Sequence, residues 1–286
     1  MRHSFGAGGL VATVQAAGAE LCSLRDAAGR EYLWQAGPAW PRHAPLLFPM
    51  VGRLAGDVLR HNGASHRLPQ HGFARDRRFT WAERGASFCR LELCDDAESR
   101  AAYPFAFRLE LAFAVAAGAL SITATVHNPG PEMLPFGFGF HPGFAWPLPG
   151  AASRAGHSLE FEQPEPEPIG RLPGDAFARA AEPSPVRGRV LALEEALFAP
   201  GAVVLEAPHS RSLRYAAPGA GALHLHWRGL PQLGLWSKPG GDFLCIEPWH
   251  GYHSPPGWDG AFLDKPGLVL LPPGASRDFA LSIRPE

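Results

Sequence analysis

Hydrophobic and polar residues alternate along many short segments of the chain, and a period of two is typical of β-strands with one buried face. The clearest case is a pair of alternating segments, residues 105–115 and 120–126, which are separated by residues 116–119. This spacing predicts an antiparallel hairpin, with a neighbouring strand at residues 91–93. Further strands are predicted at residues 203–206, 213–215, 223–227, 243–246, 268–271 and 279–283.

Helical periodicity is scarce by comparison. Residues 191–198 predict one or two short helical turns, and residues 164–189, rich in Pro, Glu and Arg, are interpreted as a long surface loop. We find neither a repeat of the solenoid or propeller type nor a second hydrophobic core behind a linker. The sequence therefore predicts one all-β domain over residues 1–286, built from large antiparallel sheets with few short helices.

Composition agrees with many short strands and argues against a nucleic-acid partner. The 286 residues include 33 Gly, 30 Pro, 18 Phe and 8 Trp, which is typical of many turns between short aromatic-rich strands. A formal net charge of −1 leaves no basic excess to neutralise phosphates, so no nucleic-acid partner is predicted.

Compartment is predicted from the cysteines and the apolar runs. The 4 cysteines have no CxxC spacing and are interpreted as reduced residues. The N-terminus lacks the apolar core of a signal peptide, and the longest uncharged stretch, residues 111–131, is interrupted by Gly118 and reads as a hairpin. We therefore expect a cytoplasmic protein with no membrane partner.

Two short strings carry the most informative chemistry, FGFGFHPGF at residues 136–144 and CIEPWHG at residues 245–251. Each places one acid–base side chain before a proline, His141 in the first and Glu247 in the second. A residue before proline is restricted to extended geometry, so its side-chain direction is largely set. In a strand the phenylalanines of the first string would share a core face, and its glycines would form a bare face ending in His141, suited to a flat polar ligand.

Signatures of nucleotide and serine-hydrolase chemistry are absent: there is no GxxxxGK[ST], no GxGxxG after a strand and no GxSxG. Other candidate polar groups are His71 and Arg75 in the string QHGFAR, and Arg53 in the string FPMVGR. Arginine offers a fixed fork of donors that suits vicinal hydroxyls or a phosphate. Trp81, Trp236 and Trp249 offer flat faces for sugar rings, although a core position is the commoner fate of tryptophan.

A second histidine cluster competes with this reading. His224 and His226 are two residues apart on a predicted strand, a spacing at which both can ligate zinc, iron or copper. No third ligand follows at a recognisable spacing, so hydrogen-bonding or surface histidines are favoured. No metal site is predicted.

Taken together, the chain resembles the aldose 1-epimerase (galactose mutarotase-like) superfamily, especially its bacterial mutarotase-like branch. The resemblance rests on four strings in order, FPMVGR, QHGFAR, PFGFGFHPGF and LCIEPWHG, which span residues 48–251. It implies a single-domain β-supersandwich with a sugar held on an open sheet face. It also implies Glu247 as general base and His141 as general acid. The substrate-binding residues that it implies are Arg53, His71 and Arg75, with Trp236 as an aromatic wall and Asp242 as the counterpart of a binding aspartate.

The implied reaction interconverts the α and β anomers of an aldose by opening and closing the ring. One carboxylate base and one imidazolium acid suffice, so no cofactor is expected, and the partner is a small-molecule sugar bound by a monomer or homodimer. We expect an apolar wall of Phe243 and Trp249 to raise the pKa of Glu247, and a nearby carboxylate to keep His141 protonated.

Three alternatives remain open from the sequence. A sugar-phosphate 1-epimerase would use Arg75, Arg77 and Arg78 as anion contacts. A non-catalytic carbohydrate-binding protein of the same fold would have no need of an acid–base pair. A metal-dependent enzyme would be built on the histidines of residues 224 and 226.

Overall fold

β-Strands dominate the computed structural model, which describes residues 1–172, 181–255 and 257–286. The strands of these residues are β1 (Arg2–Ala7), β2 (Leu10–Gln15), β3 (Leu21–Arg25), β4 (Leu46–Leu47), β5 (Val58–His61), β6 (Ala64–Arg67), β7 (Thr80–Arg84), β8 (Phe88–Cys94), β9 (Arg108–Ala116), β10 (Ala119–His127), β11 (Leu134–Phe136), β12 (Phe138–Phe140), β13 (Gly143–Ala145), β14 (Ser158–Phe161), β15 (Gly170–Leu172), β16 (Val190–Ala192), β17 (Ala202–Leu205), β18 (Ser212–Ala216), β19 (Ala222–Arg228), β20 (Gln232–Trp236), β21 (Phe243–His250), β22 (Val269–Leu271) and β23 (Ser276–Pro285). The helices are α1 (Ala97–Ala102) and the short 3₁₀ segments Ala55–Asp57, Ala74–Asp76, Glu195–Phe198 and Phe262–Asp264.

Two large sheets organise these strands. One has nine strands in the order β16-β14-β18-β19-β23-β10-β9-β8-β7, and the other has seven, β15-β17-β20-β21-β12-β4 with β13 also paired to β21. Smaller sheets are formed by β1-β2-β3, β11-β22 and β5-β6. Neighbouring strands of the two large sheets run antiparallel, which confirms the all-β prediction.

The hairpin of β9 and β10 shows how the sequence produces this architecture. Its two strands are paired from Ala119–Ala116 to His127–Arg108, and their alternate residues are buried. A two-residue turn joins them, with positive φ at both Ala117 (49°) and Gly118 (74°). This conformation matches the twist of paired strands and confirms the hairpin predicted from residues 105–126.

The two large sheets pack face to face around one hydrophobic core. Phe138 of β12 stacks on Phe279 of β23 with ring centroids 4.9 Å apart, so the two sheets are in direct contact. Leu244 and Ile246 of β21 belong to the same core cluster. The opposite face of the seven-stranded sheet is therefore the one that is left for a site.

The phenylalanine–glycine string differs from its prediction in two respects. It is divided at Gly137 into β11, which pairs with β22, and β12, which pairs with β21 and β4. Its glycine face is covered rather than bare, because a Cβ at Gly139 would lie 2.7 Å from Cβ of Trp249. The glycines thus make room for neighbouring protein groups.

Two other segments also depart from expectation. Within the predicted loop of residues 164–189, β15 pairs with β17, while residues 173–180 lie outside the described residues. Residues 191–198 begin in β16, which pairs with β14, and end in a 3₁₀ turn. None of the helices in the described ranges is long and apolar enough to cross a membrane.

The turn of the β9–β10 hairpin yields a stability test. Alanine pays a steric cost at positive φ that glycine does not, so Ala117→Gly is expected to raise the free energy of unfolding by about 0.5–1 kcal/mol. The matched variant Ala116→Gly, in the exposed end of β9, is expected to lower it by a similar amount. Urea unfolding measures both, and a loss of stability for Ala117→Gly would contradict the turn geometry.

Candidate active site

Strand β21 brings one carboxyl group to the uncovered face of the seven-stranded sheet. Its side chains alternate, so that Leu244 and Ile246 enter the core while Cys245, Glu247 and Trp249 point to the opposite face. Glu247 is only 4% exposed. The strand therefore presents a buried carboxyl between a thiol and an indole.

His141 lies directly across from this carboxyl. It occupies the short break between β12 and β13, and both strands pair with β21 in one continuous register. The pairs that define the register are Gly139–Trp249 and Gly143–Cys245. Residues that face each other in this way have neighbouring side chains. Nε2 of His141 lies 3.2 Å from Oε2 of Glu247, and both side chains are almost completely buried.

Burial acts on the two groups in opposite directions. It raises the pKa of Glu247 well above its ordinary value of 4.5, because a charged carboxylate loses its hydration. It lowers the pKa of His141 to about 3 for the same reason. The pKa of Glu247 shifts in the expected direction, whereas that of His141 shifts in the direction opposite to the expectation of a resting imidazolium. Burial thus favours the uncharged form of each group, a carboxylic acid beside an imidazole.

His71 lies next to this pair. Its ring centroid is 6.1 Å from that of His141, in an edge-to-face arrangement. Its backbone has a positive φ of 64° and is held by Gly52: the His71 N–H donates to Gly52 O at 2.7 Å, and Gly52 N–H donates to Nδ1 of His71 at 3.1 Å. Because Nδ1 accepts, the ring proton lies on Nε2. Burial, with the charges of His141 and Arg75, holds the pKa of His71 well below 6.5.

Arg75 also belongs to this neighbourhood. Its Nη2 donates to Gln70 O at 2.7 Å, and its Nε lies 3.7 Å from Oδ2 of Asp76. Arg42 donates to the other oxygen of Asp76 at 2.8 Å. After burial, the positive charges of Arg75 and Arg42 are the next causes that lower the pKa of His141. Two guanidinium groups thus share one carboxylate beside the imidazoles.

Arg53 lies beside Asp57 and the loop that contains His253. Its side chain lies against Asp57, with Nε 3.4 Å from Oδ1. Its backbone N–H donates to Nδ1 of His253 at 3.2 Å, and its carbonyl accepts from the N–H of Ser254 at 3.0 Å. The backbone of Arg53 therefore supports the loop of residues 253–254, and contact of its side chain with a sugar stays a prediction.

Aromatic side chains form one side of the site. Trp236 meets His141 edge to face with centroids 6.0 Å apart, as expected for a nearby wall. Trp40 stacks on the imidazole itself at 5.1 Å with an interplanar angle of 28°, and it also contacts Trp236 and Phe243. Trp249 covers Gly234, where a Cβ would come within 2.1 Å of its ring.

Asp242 stands apart from the group. Its side chain is 74% exposed, and Oδ1 lies 3.1 Å from Nη2 of Arg154. The structure thus does not bring this aspartate into contact with the acid–base pair, and its assignment as a binding residue stays a prediction without structural support.

Sequence reasoning missed three neighbours of the pair, Trp40, Arg42 and His253. The first two lie in the segment WPRHAP, which has no strand or helix and no chemical motif. The indirect signal was a tryptophan placed between prolines shortly before the string FPMVGR. His253, whose charge is among the causes that lower the pKa of His71, lies six residues beyond Glu247 and outside the four strings.

The three arginines named for a sugar-phosphate 1-epimerase occupy different surroundings. Arg77 forms ion pairs with Asp96 and with Glu98, the latter at 2.6 Å, so its guanidinium is engaged by the start of α1. Arg78 is exposed and takes part in a backbone bridge to Ala17. Of the three arginines named for a phosphate, only Arg75 lies beside the pair.

Potential metal ligands occur in two groups within the described part of the chain. In each group a His nitrogen, a Cys sulfur and a Glu oxygen lie within 4.8 Å of one another: Glu20, Cys22 and His43 in one, and His141, Cys245 and Glu247 in the other. The histidines at 224 and 226 are in neither group. His224 instead lies 3.4 Å from Glu286, on the outer face of the nine-stranded sheet.

The fold and the site define a mutarotase-like β-sheet protein with a buried carboxyl–imidazole pair. Residues 1–212 match the family model described as aldose 1-epimerase. The chain belongs to the aldose 1-epimerase family. Two relatives from Lactococcus lactis subsp. lactis, the plasmid and chromosomal forms of protein LacX, are each 29% identical over 269 residues, covering 90% of this chain and 90% of the relative.

Solved structures agree with this assignment. A galactose mutarotase related enzyme from Lactobacillus acidophilus matches with a TM-score of 0.93 and 28% identity, covering 100% of this chain and 97% of that one. A galactose mutarotase-like protein from Lactobacillus casei ATCC 334 matches with a TM-score of 0.91 and 28% identity over the whole of both chains. The predicted galactose mutarotase-like β-supersandwich is therefore confirmed.

The raised pKa of Glu247 predicts how stability depends on pH. Above pH 4.5 the folded state retains a proton on Glu247 that the unfolded state releases, so this contribution is complete at low pH and is lost as pH rises. Gln has no such proton. The stability of Glu247→Gln relative to the parent should therefore increase with pH, by at most about 1.4 kcal/mol per pH unit.

Urea unfolding of both proteins at a series of pH values measures this difference. An equal urea slope for the two proteins is the control for an unchanged folded state. If the stability of Glu247→Gln minus that of the parent stays constant or falls as pH rises, the pKa of Glu247 is not raised in the folded protein.

Proposed function

We propose that this chain is an aldose 1-epimerase that interconverts the α and β anomers of a free aldose, with Glu247 and His141 as its acid–base pair. The observation that carries the proposal is the 3.2 Å contact between Nε2 of His141 and Oε2 of Glu247, made by residues far apart in sequence. Desolvated acid–base groups in direct contact are typical of catalytic sites. Membership of the aldose 1-epimerase family supports the same reaction.

The proton balance of the reaction suits such a pair. A proton moving from Oε2 of Glu247 to Nε2 of His141 converts the neutral pair into carboxylate and imidazolium without changing its net charge. The carboxylate removes the proton from the anomeric hydroxyl while the imidazolium protonates the ring oxygen, and the C1–O5 bond breaks to give the aldehyde. The pair is then neutral again, and rotation about C1–C2 followed by the reverse transfers closes the ring on the other face.

The position of the pair agrees with this scheme. The anomeric oxygen and the ring oxygen are bonded to the same carbon, so adjacent catalytic groups reach both from one side of the sugar. The 3.2 Å contact favours a side-by-side arrangement of the two groups over one in which they flank the ring. Holding them in place supplies the benefit of orientation.

The neighbouring residues are proposed to bind the sugar. Nε2 of His71 is a hydrogen-bond donor beside the pair, and Arg75 adds a fixed guanidinium. Trp236 offers an aromatic face next to His141. Together these groups suit a small polar ring with one apolar face.

One observation favours a second candidate, a sugar-phosphate 1-epimerase. Arg42 and Arg75 share the single carboxylate of Asp76, which leaves a net positive charge beside the imidazoles. A phosphate on the substrate would be attracted to this charge. A comparison of free aldoses with their 6-phosphates decides between the two substrates.

Replacing the carboxyl tests the catalytic assignment. Glu247→Gln keeps the shape of the side chain but cannot exchange a proton, so turnover should fall by about 10²–10⁴ while sugar affinity stays within a few fold. Polarimetry of freshly dissolved single anomers measures turnover. The control is Glu160→Gln, whose carboxylate pairs with Arg189 on the nine-stranded sheet and should leave turnover unchanged. Near-normal epimerisation by Glu247→Gln would count against the proposal.

The pH profile tests the state of the pair. The scheme requires that the pair hold one proton. A second proton is added only near pH 3, where His141 titrates, and the single proton is lost only well above pH 4.5, because the pKa of Glu247 is raised. We therefore expect kcat/KM to stay level through the mildly acidic range. A profile that falls as pH drops through 6.5 would mean that His141 titrates as an ordinary exposed histidine.

A further inference from the structure

Residues 40–45 form a strap that crosses the acid–base pair. The strap carries Trp40, which stacks on the imidazole of His141, and its last carbonyl, that of Pro45, accepts the backbone N–H of His141 at 3.1 Å. The carbonyl of His43 accepts the N–H of Gly143 at 2.8 Å. The strap is thus bonded to the chain on both sides of the break that contains His141.

The strap has no regular structure to hold it in place. It contains two prolines, which have no N–H, and it belongs to neither a strand nor a helix. Its N–H groups at His43 and Ala44 both donate to Oε1 of Glu20, at 2.8 Å and 3.1 Å. One carboxylate oxygen therefore anchors two consecutive residues of the strap.

Glu20 is itself held in a defined position. It is 8% exposed and directly precedes β3, and its Oε2 accepts from Nε2 of Gln15 in β2 at 2.8 Å. Nδ1 of His43 lies 3.5 Å from the same oxygen. Although burial alone would raise the pKa of Glu20, the nearby His43 side chain and the hydrogen bonds from the amides of His43 and Ala44 lower it. The anchor is a fully engaged carboxylate.

We propose that Glu20 is a positioning residue for the active site: it holds the strap so that the indole of Trp40 fixes the imidazole of His141 against Glu247. This inference rests on the proposed function. When His141 takes up the shared proton, the indole face also stabilises the imidazolium by a cation–π interaction. Loss of the anchor should therefore slow turnover more than it weakens sugar binding, since His71 and Arg75 lie on another segment.

The chain offers a matched control in Glu165. This carboxylate is 2% exposed and accepts the N–H groups of two consecutive residues, His209 at 2.9 Å and Ser210 at 2.8 Å. Its partners His209 and Ser210 lie in a loop that includes neither His141 or Glu247 nor the strap. Glu165→Ala therefore removes the same kind of anchor without touching the pair.

Kinetics of three variants test the proposal. Glu20→Ala should lower kcat about ten- to a hundredfold with little change in KM, because small displacements of catalytic groups are costly. Glu20→Gln retains an oxygen for the two strap amides and should keep kcat within about threefold. Glu165→Ala should leave kcat within about twofold. Equal losses for Glu20→Ala and Glu165→Ala would overturn the proposal.

A double-mutant cycle identifies the route of the effect. If Glu20 acts through Trp40, the double variant Glu20→Ala/Trp40→Leu should be no slower than the slower single variant. If the fold-reductions in kcat of the two single variants multiply in the double variant, the two residues act independently and the route through Trp40 is overturned. Far-UV circular dichroism of every variant checks that the protein is folded.

A readout without turnover separates this inference from the proposed function. The fluorescence of Trp40 is obtained as the difference between the parent and Trp40→Leu. Its quenching by acrylamide should increase in Glu20→Ala and stay unchanged in Glu165→Ala, whether or not any sugar is epimerised. Unchanged quenching in Glu20→Ala would overturn the anchoring role, whereas inactivity of the parent on every aldose and 6-phosphate would overturn only the proposed function.

Discussion

A single antiparallel register holds the site together. Strands β12 and β13 pair with opposite ends of β21 without a slip, so the two residues facing each other across the break between them are His141 and Glu247. Because side chains alternate along a strand, a shift by one residue would turn Glu247 into the hydrophobic core. The closeness of the two groups is therefore a property of the sheet, and the sheet is set by the core beneath it.

This arrangement buries two titratable groups, which is costly unless both are neutral or share a proton. The 3.2 Å contact satisfies that condition, since one proton serves both groups. Neighbouring side chains have opposite effects on the stability of the charged imidazole. Arg42 and Arg75 oppose a charged imidazole, while the stacked ring of Trp40 favours it. The pKa directions place the proton on Glu247, so its transfer to His141, which the proposed ring opening requires, is uphill, and the indole face of Trp40 lowers that cost.

The site also depends on parts of the chain that contain no catalytic group. Glu20, beside the turn between β2 and β3, bonds the strap, and the strap in turn bonds His141 and Gly143. The N-terminal strands thereby contribute to the geometry of residues 141 and 247. Gly234 and Gly139 contribute by lacking a side chain, which leaves room for Trp249 beside Glu247.

The sequence by itself determined the local structure: the strands of β9, β10, β19 and β23, the turn at Ala117–Gly118, and, through four ordered strings, the family and the candidate pair. These features follow from side-chain alternation and from motifs a few residues long, which are readable without long-range contacts. Only the tertiary structure decided that β11 and β12 divide at Gly137, that Trp40 and Arg42 lie beside His141, that Asp242 lies apart, and that burial lowers the pKa of His141. Each of these depends on burial and on contacts between residues distant in the chain, which a local pattern does not encode.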